Sequence, residues 1–189
     1  MSLRHAAFQA VSIATTTGYA SMDFASWSEP AKYVLFLAIF VGGSAGSTGG
    51  AVKMVRWLVV LKSIKRELFT TVHPEAVEPV RLGGRALDEQ GVRGIYAFTA
   101  VYFALFVLGT AFVAVDAARI QETLSTVEVM SAVAATIGNV GPGFGMVGPM
   151  GNYEPFTNAA KLVMVGLMWV GRLEVIPVLV LFTRTYWQG

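Results

Sequence analysis

The chain has 189 residues, 54% hydrophobic and only 14% charged, with no cysteine and a formal net charge of +2. A soluble domain carries about 25% charged residues, so this composition points to a membrane protein. Without cysteine there is no disulfide framework and no Cys-held zinc. His5 and His73 stand far apart with no carboxylate cluster beside them, so neither reads as a metal ligand or catalytic base. No nucleotide-binding motif and no nucleic-acid footprint is visible, and the composition implies no cofactor. A cleavable leader is not visible either, because the apolar run after Arg4 and His5 is broken.

Residues 4–14 can form a helix about 16 Å long. That reaches the middle of a ~30 Å hydrocarbon core without crossing it. Thr15, Thr16, Thr17, Gly18 and Tyr19 follow, and three threonines continue a helix poorly. The pattern predicts a re-entrant loop: a short helix dips in, and an extended segment returns. Non-helical backbone at membrane depth must be buried in protein or line a wet path. Extended Thr-Thr-Gly-Tyr backbone offers the carbonyls that a dehydrated monovalent cation needs in place of water.

Residues 20–30 are polar and turn-like. A largely apolar helix is predicted over 31–41, broken by the run 42–50 and resuming at Ala51. The run contains Gly42, Gly43, Gly46, Ser47, Gly49 and Gly50. It lies about 17 Å from the outer end of its helix, near a bilayer midplane. Lys53 follows Val52 and precedes Met54, so this is not a phosphate-binding Walker loop. Residues 67–93 are a polar linker, with a small hairpin predicted on Gly83-Gly84. An uninterrupted apolar run of spanning length covers 94–115.

Residues 128–137 repeat the short dipping helix. Residues 138–151 repeat the loop, with Asn139, Val140 and Gly141 in the place of Thr16, Thr17 and Gly18. A second long apolar run covers 159–182 and carries Lys161, Arg172, Glu174 and Pro177, with Trp187 at its end. Basic residues concentrate in and just before the linker, at Lys62, Lys65, Arg66, Arg81, Arg85 and Arg93. The opposite loop, 116–158, holds Arg119 and, among basic residues, nothing else. The linker is therefore predicted to be cytoplasmic, and both dipping loops to enter from outside.

With Gly18 set on Gly141, dipping helix, loop, polar turn and interrupted span recur in the same order. The second copy has a span before it and the first does not. The expected organisation is a pore unit lacking its first span at 1–66, the cytoplasmic linker at 67–93, and a complete unit at 94–189. Both copies enter from one side, so an axis along the membrane normal should relate them. A ring of such units needs about four, and the others must come from elsewhere. The fold class expected is all-α: a polytopic membrane protein of repeated span, re-entrant pore loop and span.

Four motifs in this order, Thr15-Thr16-Thr17-Gly18-Tyr19, the 42–50 run with Lys53, Asn139-Val140-Gly141-Pro142-Gly143 and Gly171-Arg172-Leu173-Glu174, resemble the Trk/Ktr/HKT potassium transporter superfamily. The likeness is greatest to the C-terminal half of the TrkH-type subunit and covers essentially the whole chain. The resemblance implies potassium uptake across the cell membrane as part of a TrkH-type transporter, with potassium as substrate and no cofactor. It implies as partners membrane lipid, the N-terminal half of the same transporter, a second copy in a homodimer, and a cytosolic nucleotide-binding regulatory ring protein. It makes Thr16, Thr17, Gly18, Asn139, Val140 and Gly141 the filter, with K+ held at Thr16, Thr17, Asn139 and Val140. The family's glycine run often continues one residue further, where this chain has Ala51.

Local alternatives exist: helix capping for Thr16 and Thr17, an Asx turn for Asn139, and an ion pair for Arg172. Arg172 lies at nearly the depth of the glycine run. An isolated Arg there costs about 2.5–3.5 kcal/mol on insertion scales and should face the interior. We expect Arg172 and the 42–50 run to form one constriction beneath the filter, a gate that blocks by charge and by bulk. The rival readings are a sodium-permeable relative, a non-conducting membrane subunit, and a membrane enzyme. The last would need a cluster of Asp, Glu or His within the membrane, where Glu174 alone qualifies.

Overall fold

The computed structural model describes residues 3–119, 124–173 and 186. Glu174, Pro177 and Trp187, and the rest of the run expected to 182, lie outside the described residues. The chain is mostly helical: α1 Leu3–Ala14, α2 Glu29–Ile39, α3 Met54–Val72, α4 Glu89–Arg119, α5 Thr126–Ile137 and α6 Asn158–Arg172. Two pairs of two-residue strands complete it: parallel β1 Val41–Gly42 with β2 Val52–Lys53, and antiparallel β3 Arg81–Leu82 with β4 Arg85–Ala86.

Two helix starts differ from the sequence reading. α2 begins at Glu29, because Pro30 sits in its first turn, where the missing N–H is no loss. α3 begins at Met54 rather than Ala51, because Val52 and Lys53 are bridged to Val41 and Gly42. The break expected as an open glycine loop is thus closed at its neck by a small ladder. α4 extends the expected run at both ends, over 31 residues, or about 47 Å. Among the described residues it is the one helix long and apolar enough to cross a membrane. Its Val107, Leu108 and Val115 point outward from the chain.

The core is built around α5. Ser125 and Glu128 form a capping box at its start, each satisfying the other's backbone N–H. From Ser131 to Ile137 every residue of α5 is buried. Tyr102, Phe106 and Val113 of α4, Met164 and Leu167 of α6, and Ile39 of α2 belong to the same cluster. Phe40 stacks against Phe103 and meets Phe106 edge-on, and its carbonyl accepts from the Trp57 indole at 3.1 Å. These contacts anchor both ends of the 42–50 run. A second cluster joins Val59 of α3, Val80 and Val92. It holds the β3–β4 hairpin, whose turn has Gly83 and Gly84 at φ +57° and +82°, the two left-handed residues a type I′ turn requires.

Candidate ion-pathway site

α1 and α5 end in the same turn. At α1, the Thr15 amide donates to Val11 O, Thr16 to Ile13 O, and Thr17 and Gly18 both to Ser12 O, at 2.9–3.3 Å. At α5, the Gly138 amide donates to Ala134 O, Asn139 to Thr136 O, and Val140 and Gly141 both to Ala135 O, at 2.8–3.4 Å. Each bond of one set has its counterpart in the other when Gly18 is set on Gly141. The dihedrals match as well: φ is +55° at Thr16 and +54° at Asn139, and +76° at Gly18 and +104° at Gly141. Thr17 and Val140, between them, are not left-handed.

This backbone has a chemical consequence. The amides of the turn are consumed by the helix end, leaving the carbonyls. In a regular strand successive residues face opposite sides; alternating the sign of φ brings successive peptide carbonyls toward one side. Among the described residues, nothing donates a hydrogen bond to the carbonyls of Thr16, Thr17, Gly18, Asn139 or Val140. Gly141 differs, because its carbonyl accepts from the Tyr153 hydroxyl at 2.7 Å. Burial pushes that hydroxyl well above the usual phenol range, so it remains a donor. The helix carboxyl ends behind both turns add a partial negative charge of about half an electron each. Chemically, the site suits a monovalent cation stripped of water. Among the described residues no group of three His, Cys, Asp or Glu could hold a metal ion.

The two turns touch. A Cβ on Gly18 would lie 2.0 Å from the Val140 carbonyl oxygen, so glycine alone permits that approach. Asn139 is also held from outside, its side-chain amide donating to Met168 O of α6 at 3.0 Å. Its side chain makes this long-range bond rather than the Asx turn considered as a local alternative. Thr15 and Thr17 share a hydroxyl–hydroxyl bond of 2.8 Å, and Thr15 also donates back to Val11 O.

The 42–50 run lies against the helix-proximal ends of both turns. A Cβ on Gly49 would meet the Thr16 hydroxyl at 2.9 Å, and one on Gly50 the Gly138 carbonyl at 2.3 Å. Internal bonds shape the run: Ser47 N to Ser44 O, Gly49 N to Ser47 Oγ, and Met54 N to Gly43 O, at 2.9–3.1 Å. Lys53 Nζ reaches Ala45 O at 3.5 Å. A Cβ on Gly46, at the tip, would meet nothing within 4 Å. Ala51 closes the run at φ +58° and is buried. An L-residue there costs about 1–2 kcal/mol.

Arg172 occupies the last turn of α6 and is exposed in the described chain. The inward face of α6 is taken by Ala160, Met164 and Leu167, and Arg172 projects beside that stripe rather than along it. No described contact joins it to the 42–50 run. Its neighbour Gly171 does approach the site, since a Cβ there would lie 1.9 Å from Ile137 O. Tyr153 and the left-handed Ala51 carry no motif of their own. The polar turn preceding the second span was the available pointer to Tyr153.

The family model described as "TrkH: Cation transport protein" matches residues 1–189. The chain is 38% identical over 186 residues to the Trk system potassium uptake protein TrkH of Halomonas elongata. It is 37% identical over 188 residues to the protein of that name from Escherichia coli K12. These alignments take in 98% and 100% of this chain and 37% of each relative. The crystal structure of the potassium transporter TrkH from Vibrio parahaemolyticus superposes with a TM-score of 0.84 at 37% identity, covering 97% of this chain and 37% of that one. The class is that of membrane cation transport proteins, and the chain belongs to the TrkH family. It spans a little over a third of the length of these relatives.

Proposed function

We propose that this chain contributes two strands of a potassium-selective pathway through the cell membrane, in a transporter that takes up potassium. The observation that carries the proposal is the recurrence of one carbonyl-presenting turn at the ends of α1 and α5, in contact at Gly18 and Val140. Thr16, Thr17, Gly18, Asn139, Val140 and Gly141 are the filter residues, with K+ at Thr16, Thr17, Asn139 and Val140. A membrane potential supplies about 2.3 kcal/mol per charge per 100 mV, enough to draw a cation inward without hydrolysis. Two strands do not encircle an ion, so the remaining filter strands come from further polypeptide of the same transporter. A second copy and a cytosolic nucleotide-binding ring protein complete the assembly that the family implies. α4 spans the membrane in this reading, 67–93 is cytoplasmic, and no catalysis is involved.

The 42–50 run serves as the gate. It abuts Thr16 and Gly138, and the open space at Gly46, its tip, leaves room to move. Arg172, exposed in the described chain, supplies the charge of the gate in this reading.

The test is ion flux through the whole transporter containing this chain, reconstituted in vesicles. Potassium uptake should exceed sodium uptake many-fold at equal driving force. Equal fluxes of the two ions would remove the proposal.

A further inference from the structure

Away from the pathway, the middle of α3 and the segment leading into β3 enclose a cleft of about 220 Å³. Lys62, Lys65, Arg66 and Arg81 line it, and Glu78 is the acidic group in its wall. Lys62 Nζ donates to the Arg81 carbonyl at 2.7 Å, which ties the hairpin to the helix and fixes the mouth. Arg66 is paired with Glu89 of α4. That leaves Lys65 and the Arg81 guanidinium with no hydrogen bond or ion pair to the described residues. Four cations against Glu78 and Glu89 leave the cleft with an uncompensated positive charge. It is smaller than the ~300–1,000 Å³ of drug-sized pockets, and suits one small anionic group.

The surroundings are apolar on one side. Leu61, Ile64 and Leu68 of α3 are exposed beside the basic residues. Lys62 to Arg66 lie roughly 12–18 Å along the helix axis from Met54. If Met54 starts near mid-membrane, where the gate proposal puts it, the cleft lies at the inner headgroup level, about 15 Å from the centre. The depth rests on that reading; the charge and shape of the cleft do not.

We propose that this cleft binds a phosphate-bearing anion, with Lys65 and Arg81 as the principal ligands. The guanidinium offers a planar fork to phosphate oxygens and the ammonium a point charge. An anionic lipid headgroup and a soluble phosphate compound share this chemistry. A lipid would also cover Leu61, Ile64 and Leu68 with its chains.

The test uses the full chain in neutral detergent and reads melting temperature. One arm adds phosphatidylglycerol, with phosphatidylcholine as reference; the other adds inorganic phosphate, with chloride at matched ionic strength as reference. At saturation one arm should raise the midpoint by roughly 3 °C or more. Lys65→Gln with Arg81→Gln should abolish the rise while leaving the ligand-free midpoint near that of the wild type. Arg85→Gln, on the same hairpin but outside the cleft, should keep it. A rise with phosphatidylglycerol alone identifies the lipid, and a rise with phosphate the soluble anion. No rise in either arm, or a rise that survives the double substitution, overturns the proposal.

Discussion

The turns after α1 and α5 have one hydrogen-bond pattern and two very different settings. α5 is buried from Ser131 to its end, packed against α4 and α6. α1 buries Gln9, Ser12 and Ile13 and leaves Val11, Thr15 and Thr17 exposed. The turn itself therefore does not depend on how its helix is packed. It follows from a helix that ends where one carbonyl can accept two amides, and from a glycine at the fourth residue after the helix. Packing decides instead how firmly each turn is held. The second has Tyr153 on Gly141 O and Asn139 anchored to α6. The first is held by its own hydroxyls and by Ser12 Oγ donating to Tyr19 O at 2.6 Å.

The largest expected effect breaks this comparison at its contact. Gly18→Ala places a methyl 2.0 Å from the Val140 carbonyl and adds left-handed strain, whereas Gly141→Ala meets no atom within 4 Å and adds strain alone. Strain of that kind costs about 1–3 kcal/mol, so Gly18→Ala should lower the melting temperature distinctly more. Equal losses would mean that the two turns do not touch.

Next in size is the gate. Removing residues 45–47, or changing Arg172→Ala, should raise the maximal potassium uptake per folded transporter and leave the potassium-to-sodium ratio nearly unchanged. A guanidinium beside a one-ion path repels cations strongly where water is scarce. Unchanged or lower rates in both variants would leave the 42–50 run as a passive break. Normalising to folded protein separates a gate residue from a structural ion pair.

Smaller effects sharpen the contrast in how the turns are held. Tyr153→Phe leaves Gly141 O without its donor and should cost about 1 kcal/mol, measurable by thermal unfolding. Ala51→Gly should gain about 0.5–1 kcal/mol by relieving the left-handed Cβ, less the entropy of glycine. A loss would show that Ala51 is not strained.

The smallest effect concerns the cap of α5. Partial burial raises the Glu128 pKa, but the Ser125 and Met146 amides and the Ser125 hydroxyl outweigh it and hold the carboxyl below its ordinary value. A pKa lowered on folding adds stability above the unfolded value of about 4.3. That stability disappears as pH falls through the folded value. Glu128→Gln should flatten the acid limb of stability slightly, and an unchanged limb would mean that the cap contributes nothing. α1 has no such carboxylate in its first turn.

Residues 15–19 and 138–142 were legible in the sequence because their conformation is local. Threonines and glycines stop a helix, and Gly18 and Gly141 supply left-handed backbone. The left-handed Thr16 and Asn139 were not legible as such, since neither residue demands that conformation. The neck of the 42–50 run depends on Val41 meeting Val52 and Gly42 meeting Lys53, a pairing across the loop that no periodicity announces. Helix starts at Glu29 and Met54 shifted for different reasons: one was set by proline tolerance, the other by that ladder. Depth along a helix says nothing of azimuth, so the stripe of Ala160, Met164 and Leu167 that packs α6 inward was not legible until its neighbours were known.

The shared role of the two turns is tested most directly by the potassium-to-sodium uptake ratio of the whole transporter carrying Gly18→Ser or Gly141→Ser, measured per folded molecule. The ratio should fall in both variants, and further for Gly18→Ser. An unchanged ratio in both would contradict the assignment of these backbones to the ion.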